Sequence, residues 1–443
     1  MLKRKILDQL INWKKRENHK SLIIKGQRQI GKTYVVDRMF SKEYQSYIVI
    51  NFIEEPSMIR EFSGDLDVET LKLNISARRP GVRFIEGNTL LLLDEIQECP
   101  RAVSSLKFWT EDGRYDVIGM GSSLGMNYMS DVSYPVGKVE YLQMYSLDFE
   151  EYLWSEGLDD EIVSRLREYF DNIEKLPKSL MGTMFGYLRR YMVIGGMPEV
   201  VNTFVETKDL HEADVIQRRL ILDYKSDIAR FADANIRIKA QECYESIPYQ
   251  LTKVNHKFQY SKVEAKASAV KFGSSIQWLN NQLLTVQVTN LKRIEYPLEA
   301  FADDGNFRLY PTDIGMLIAM YDESLKKALL EDERIEDSPG GLILGTAKGA
   351  LYEALTADML YKRGFEKLYF YKHEKNTSEI EFIIMDKDEI LPIEIKAGRK
   401  QANSLRNILN ENNHLKRGYK MASINIGISD KIISMPMFML MFL

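Results

Sequence analysis

Leu2, Ile6, Leu10 and Trp13 fall at helical spacing with Lys and Arg between them, which predicts an amphipathic opening helix. Short apolar runs follow: Leu22-Ile23-Ile24, Tyr47 to Phe52, Thr89 to Leu93, and Tyr115 to Met120. Each has the length of a buried strand, and Thr89–Leu93 reads as a central parallel strand covered on both faces. Between them lie a polar stretch of helical character from Pro56 to Arg83 and a helix starting around Ala102 with Trp109 near its end. Residues 150–235 are rich in helical pattern. From 236 to 320 the pattern shifts to short helices, one beginning at Tyr260 and one holding Ser274–Leu279. A hairpin-like end follows, Leu283–Val288 answered by Phe307–Tyr310. Farther on, Gly349–Glu353 starts a helix, Ser378–Ile384 alternates as a strand does, and Leu391–Gly398 is the next strand. The closing run Met435–Leu443 is apolar, too short to span a bilayer, and reads as a buried terminal strand.

Two of these strands end in chemistry. Gly26-Gln27-Arg28-Gln29-Ile30-Gly31-Lys32-Thr33 fits the phosphate-loop pattern G-x-x-x-x-G-K-[ST], between an apolar run and a stretch, Tyr34–Phe40, able to continue as helix. In that setting Gly26 and Gly31 let backbone N–H groups close around phosphate oxygens, and the helix N-terminus adds its dipole. Lys32 reaches the β- and γ-phosphates, and the Thr33 hydroxyl binds Mg²⁺. The Thr89 run ends in Asp94-Glu95, a Walker B signature at the strand end where open α/β sheets bind ligands. There Asp94 holds the Mg²⁺ shell, and Glu95 orients or activates the attacking water, the role that separates hydrolysis from binding. The run from Tyr115 closes in Gly121-Ser122-Ser123. Ser122 and Ser123 are candidates to touch the γ-phosphate or the water, and a plain Gly-Ser turn closing a strand accounts for them equally well. ATP and Mg²⁺ are the cofactors these motifs imply.

At 443 residues the chain is too long for one core, so two to four domains are expected. It is 45% hydrophobic and 28% charged, with Lys+Arg 60 against Asp+Glu 64; the net charge of -4 excludes no partner and carries no global basic signature. The most basic part is 253–271, with Lys253, His256, Lys257, Lys262, Lys266 and Lys271. A recognition helix in a DNA groove needs such charge, and a solvated helix face shows it too. Cys99 and Cys243 have no ligand-like spacing, which argues against a disulfide scaffold or a zinc site and fits a reducing, cytoplasmic interior. Asp8, Asn12 and Lys14 stand where a signal peptide would have its apolar core, and no stretch has the length of a membrane span.

The pairing of GQRQIGKT with LLLLDEIQ, then IGMGSS, then Gly137-Lys138-Val139-Glu140 followed by Tyr145–Leu153, resembles the bacterial and archaeal AAA-type ATPases that carry a C-terminal domain of unknown function. The turn Gly195-Gly196-Met197-Pro198-Glu199 matches a Gly-Gly-x-Pro-Glu segment of the same family, and the resemblance covers nearly the whole chain. It implies an α/β protein with an AAA+-type P-loop parallel sheet in 1–150 and a helical lid in 151–235. By its own order of short helices and a hairpin, 236–335 reads as a winged-helix-like domain, and 336–443 forms the C-terminal domain. Where the family usually reads Gly-Arg, this chain has Gly137-Lys138, which keeps the charge and loses the planar fork of an arginine finger. Arg189 and Arg190 precede the Gly-Gly turn and are placed to reach nucleotide from the lid or from a neighbouring subunit, or to pair with surface acids.

In the last quarter, Glu394 and Lys396 lie on one strand face because side chains alternate with period two, and Glu381 lies on the strand before. Such a set gathers carboxylates around Mg²⁺ with a lysine beside a scissile phosphate. It resembles the restriction-endonuclease-like core, PD-(D/E)XK, with Glu353 as the helix acid. Glu381 stands where that family normally has Asp, and the extra methylene moves the carboxylate by about one bond length. The polar face of a half-buried hairpin explains the same residues.

Three function classes follow. The first is an ATP-hydrolysing enzyme that moves its winged-helix and C-terminal domains on a nucleic-acid or protein partner. The second is a nucleotide-dependent binding switch with slow turnover. The third is an ATP-regulated nuclease acting through Glu353, Glu381, Glu394 and Lys396. Glu95 favours the first over the second, and a site completed in trans would require a homo-oligomer.

Overall fold

The computed structural model describes residues 2–121, 135, 137–253, 256–264, 268–331, 347–372, 378–396 and 401–443. The described chain falls into two compact units, Lys3–Ser146 and Leu147–Leu443.

The first unit opens on helix α1 (Lys5–Lys15), which buries Ile6, Leu10 and Trp13 as their spacing predicts. Then come β1 (Ser21–Gly26), α2 (Lys32–Arg38), β2 (Ser46–Asn51), α3 (Val68–Arg78), β3 (Thr89–Asp94), α4 (Pro100–Asp112), β4 (Asp116–Gly121) and β5 (Val139–Met144). The strands pair parallel in the order β2-β3-β4-β1-β5. All six residues of β3 are buried, the expectation for a central parallel strand. Ile118 of β4 is opposite Leu22 of β1 on one side and Leu92 of β3 on the other. The ends of β1 and β3, Gly26 and Asp94, therefore flank a single strand. Pro56–Arg83 is not one helix but a 3₁₀ turn, Pro56–Phe62, and then α3, started by Asp67, whose side chain accepts the Thr70 N–H.

The second unit begins with α5 (Phe149–Ser155), α6 (Asp160–Asp171), α7 (Lys178–Ile194), α8 (Pro198–Thr207), α9 (Leu210–Phe231), α10 (Ala234–Leu251) and α11 (Ala269–Asn281). Next are β6 (Thr285–Leu291), β7 (Ala302–Pro311), α12 (Ile314–Ala319), α13 (Glu323–Glu331) and α14 (Ala347–Lys362). It closes with β8 (Leu368–Lys372), β9 (Glu379–Asp386), β10 (Glu389–Lys396), α15 (Asn403–Glu411), β11 (Gly418–Ala422), β12 (Gly427–Ser429) and β13 (Ile432–Pro436). The hairpin β6/β7 forms where the pattern predicts it, but it does not stand apart as a wing. Its β6 also pairs parallel with β8, so eight strands make one mixed sheet, β12-β13-β11-β10-β9-β8-β6-β7. The free backbone edge of β6 recruits that partner, and a backbone edge leaves no mark in the sequence. Tyr260–Lys262 is a 3₁₀ turn rather than the start of a longer helix. The closing residues are buried, yet after Pro436 they wind as a 3₁₀ helix, Met437–Phe442, and not as a strand.

A buried charge node ties α7, α12 and α14 together. The Lys362 ammonium lies 3.0 Å from Asp313 and 2.8 Å from Asp358, all three side chains being at most 1% exposed. The Tyr191 hydroxyl donates to Asp358 at 2.9 Å and the Gly196 N–H to Asp313 at 2.9 Å. Burial raises the pKa of Asp358 to about 6, with Lys362 pulling it back. Glycine is required at the turn after α7: a Cβ on Gly196 would stand 2.0 Å from the Leu147 carbonyl oxygen, and one on Gly195 would stand 2.2 Å from Asp313 Oδ1. Replacing Lys362 by Met leaves two carboxylates buried against each other, and the expected loss is about 3–5 kcal/mol. Denaturant unfolding followed by tryptophan fluorescence measures it, Asp358→Asn should recover part of it, and a loss under about 1 kcal/mol would refute the role of the node.

Candidate functional site

The loop between β1 and α2 needs left-handed backbone at Gln29 (φ 62°) and Gly31 (φ 85°). Gly31 adopts it freely, whereas for Gln29 it costs on the order of 1 kcal/mol, strain of the kind that collects at functional loops. Gly26 is required for another reason. A Cβ there would meet the Met144 carbonyl oxygen and Ile30 Cδ1 at 2.6 Å each, so the loop backbone lies hard against the end of β5. Arg4 locks the contact, donating from Nη1 to the Ile30 carbonyl at 3.0 Å and from Nη2 to the Tyr145 carbonyl at 2.6 Å. Within the loop Gln27 and Ile30 are buried, Arg28 is half-buried and Gln29 is exposed.

Lys32 opens α2 and donates from Nζ to the carbonyls of Gly26 (2.9 Å) and Gln27 (2.7 Å). Burial lowers its pKa to about 8, against the upward pull of Glu95 and Asp94, while Arg28 pushes the same way as burial. Thr33 Oγ1 donates to Asp94 Oδ2 at 2.9 Å, which joins two motifs 61 positions apart in the chain. Burial also raises the pKa of Asp94, and the Thr33 hydroxyl and the Glu95 N–H oppose the rise. A buried carboxylate beside a hydroxyl is an oxygen donor set of the kind Mg²⁺ takes from a protein when phosphates and water supply the rest. Asn51, opposite Asp94 in the β2/β3 ladder, donates to the same Oδ2 at 3.4 Å. Its own Oδ1 accepts the N–H groups of Ile53 and Glu54. Glu95 follows in left-handed conformation, φ 48°, and its Oε2 accepts from Gln97 Nε2 at 2.5 Å.

The structure thus gathers Gly26, Gln27, Arg28, Gln29, Ile30, Gly31, Lys32, Thr33, Asp94 and Glu95 at one end of the sheet. It adds Arg4 and Asn51, which the sequence reading did not single out, and gives a partner to Gln97, the last residue of the LLLLDEIQ string. A polar residue next to last in the apolar Tyr47–Phe52 run was the one available hint of Asn51. Ser122 and Ser123 lie outside the described residues; the last residue of β4, Gly121, is opposite Lys25. Lys138 lies at the far end of the sheet, because Val139 next to it is opposite Ser21 at the start of β1. That is roughly 16 Å along the strand from the loop, and Lys138 pairs there with Glu111 at 3.1 Å.

In the second unit Arg190 follows the acid-pairing reading, with Glu156 at 3.2 Å and its guanidinium over the Tyr187 ring. Ile393 of β10 is opposite Phe382 of β9, which puts Glu394 and Glu381 side by side on one face. Lys396 Nζ is 2.7 Å from Glu394 and 3.9 Å from Glu381. The Leu405 N–H donates to Glu394 at 3.1 Å and the Ile395 N–H to Glu381 at 2.9 Å. Burial pushes the pKa of Glu381 up to about 7, with Lys396 opposing. Glu353 stays near enough for its charge to raise the pKa of Glu381 and Lys396, but its hydrogen bonds go elsewhere: its Oε2 accepts from Arg308 Nη1 (2.8 Å) and the Tyr310 hydroxyl (3.1 Å) and lies 2.8 Å from His256 Nδ1. Burial alone would raise the pKa of Glu353, yet Arg308 and His256 hold it below the ordinary range. Arg308 is itself buried and also binds Glu379. Among the described residues no group of three or more His, Cys, Asp or Glu is placed to hold a metal ion. The basic residues of 253–271 scatter: Lys253 sits over the Tyr249 ring, Lys271 pairs with Glu264, His256 is on Glu353, and Lys266 lies outside the described residues.

Residues 18–153 match the family described as an AAA domain. Residues 186–327 and 348–436 match two domains of unknown function, DUF8612 and DUF4143. No curated protein matches the chain. Among solved structures, the chain is similar to a Walker-type ATPase of Pyrococcus abyssi, 10% identical over 72% of this chain and 96% of that one, with a TM-score of 0.46. AMPPCP-bound DnaA from Aquifex aeolicus is 13% identical over 63% and 87%, with a TM-score of 0.29. Among the described residues no helix is long and apolar enough to cross a membrane.

Two pH dependences follow. With the Lys32 pKa lowered to about 8 by burial, affinity for ATP should hold between about pH 7, where the terminal phosphate is fully ionised, and about pH 8, and weaken above that by up to about tenfold per pH unit. Fluorescent-nucleotide titration checks this, and an affinity level to pH 10 would remove Lys32 as the main phosphate charge. Glu381 holds its proton to about pH 7 in the folded chain but loses it near the ordinary carboxyl range when unfolded. Its contribution therefore lowers stability as pH rises from about 4.5 to about 7. Glu381→Gln should stabilise the protein by about 1–3 kcal/mol at pH 8 and hardly at pH 4.5, measured as unfolding midpoints at the two pH values.

Proposed function

From the premise that this chain carries an AAA-type P-loop ATPase domain, we propose that it binds and hydrolyses ATP with Mg²⁺ and passes the nucleotide state to its Leu147–Leu443 unit. The observation that carries the reading is the 2.9 Å bond between Thr33 and Asp94, with Glu95 next in the chain. Bound Mg·ATP supplies the phosphoryl group and the cation that offsets its charge. The loop from Gly26 to Gly31 closes N–H groups around the phosphates, and Lys32 brings an ammonium already held against that loop by two carbonyls. Thr33 and Asp94 would hold the cation, and Asn51 keeps the Asp94 carboxylate in place. Glu95, at the same strand end, takes a proton from the attacking water. Little has to reorganise, which is what electrostatic catalysis requires.

The partner of the second unit is a nucleic acid or a protein. Its basic stretch 253–271 supports the former, although the lysines there do not share one helix. Nuclease chemistry draws support from Glu381, Glu394 and Lys396 sharing a face. The commitment of Glu353 to Arg308, His256 and Tyr310 counts against it, since a divalent cation would have to displace a buried guanidinium. The free, buried thiols of Cys99 and Cys243 suit a cytoplasmic setting.

The test is Mg²⁺-dependent ATP turnover of wild type and Glu95→Gln, with and without double- and single-stranded DNA. Wild type should turn over, while Glu95→Gln keeps ATP binding and loses about 100-fold or more in kcat. Wild type that binds ATP without turnover in every condition would replace the hydrolase reading with a nucleotide switch.

A further inference from the structure

Gln97 is 4% exposed, sits on the 3₁₀ turn Ile96–Glu98 directly after Glu95, and donates from Nε2 to Glu95 Oε2. The carboxylate decides which end of the amide faces it, because two acceptors would repel. The other end, Gln97 Oε1, is then a buried acceptor with no hydrogen-bond partner among the described residues. An orphaned buried acceptor carries a desolvation cost and is uncommon in a native fold.

The turn that carries the amide has little freedom. Glu95 is left-handed, the Glu98 N–H donates to the Glu95 carbonyl at 3.0 Å, and the Cys99 N–H donates to the Ile96 carbonyl at 3.0 Å. Ile96 packs so closely on β4 that a Cβ on Gly119 would stand 2.9 Å from Ile96 Cδ1. Backbone strain, a buried amide and an orphaned acceptor coincide within three residues of the strand end that bears Asp94. Structural economy alone would have placed an apolar side chain at such a buried turn.

We propose that Gln97 is the positioning residue of the hydrolytic site. Its Nε2 fixes one oxygen of Glu95, which leaves Glu95 Oε1 to take a proton, and its Oε1 accepts the second O–H of the attacking water. In the step itself the water oxygen bonds to the γ-phosphorus, and the bond from that phosphorus to the β,γ-bridging oxygen breaks, its electron pair leaving with ADP. One water proton passes to Glu95 Oε1. The other stays on the oxygen and donates to Gln97 Oε1. Orienting a water through two acceptors is an entropic device, and a misplaced base loses rate with little change in substrate binding. The inference rests on Glu95 acting as the base.

The experiment compares wild type, Glu95→Gln, Gln97→Leu and Gln97→Asn by ATP affinity, kcat, KM and the unfolding midpoint. Gln97→Leu should keep ATP affinity within about threefold and lose about tenfold or more in kcat, as outer-shell partners of catalytic groups do. Gln97→Asn keeps both polar ends on a shorter stem and should show the same signature more weakly, which covers the case in which Gln97→Leu does not fold. A role in folding alone would lower the unfolding midpoint and leave kcat per folded molecule at the wild-type value, and that result overturns the proposal. Wild-type kcat in both Gln97 variants, with Glu95→Gln inactive, removes Gln97 only. An inactive wild type, or an active Glu95→Gln, removes the base and Gln97 with it.

Discussion

The chemistry of the first unit depends on one constraint, the parallel pairing of β4 with β1 on one side and β3 on the other. Parallel strands start and finish at the same level, so placing one strand between two others brings their C-terminal ends within two strand spacings, about 10 Å. Gly26 and Asp94 are those ends. The first turn of α2 spans the remainder, and Thr33 meets Asp94 across it. Neither the glycine loop nor the acidic strand end would form a site alone. Each becomes one when the sheet sets them at a common edge.

Burial of charge is used in opposite ways in the two units. Around Lys32 and Asp94, burial disfavours the charged forms, and the opposing charges nearby only partly restore them. Groups in that condition would gain from an added phosphate and cation, the ligands the proposed nucleotide site would bring. Around Lys362 and Arg308 each cation is matched within the fold by two acids, Asp313 and Asp358 in one case and Glu353 and Glu379 in the other. Such groups are already answered, and they act as ties between elements. The residue types are alike in the two settings. The completeness of their partners separates them.

Local pattern determined much of this protein. The period of Ile6, Leu10 and Trp13 makes a helix, unbroken apolar runs make parallel strands, and glycine at Gly26 and Gly31 with Lys32-Thr33 makes a phosphate loop, because spacing along the chain suffices for each. The acids Asp94 and Glu95 were legible for the same reason, as they end a run whose burial the sequence already implies. Pairing across the chain was not legible. The union of β6 with β8 is made by backbone groups common to every residue, and the winding of Met437–Phe442 follows from packing rather than from hydrophobic content. Arg4 and Asn51 carry no motif, and Gln97 stands in the LLLLDEIQ string without its role being legible there, since a hydrogen bond to a carbonyl or a carboxylate is set by position in space. The resemblance made Glu353 the helix acid beside the strand-borne Glu381 and Glu394. The tertiary structure keeps its charge within reach of Glu381 and Lys396 but gives its hydrogen bonds to Arg308, Tyr310 and His256, because a buried carboxylate takes the nearest buried partners and only the fold decides which those are.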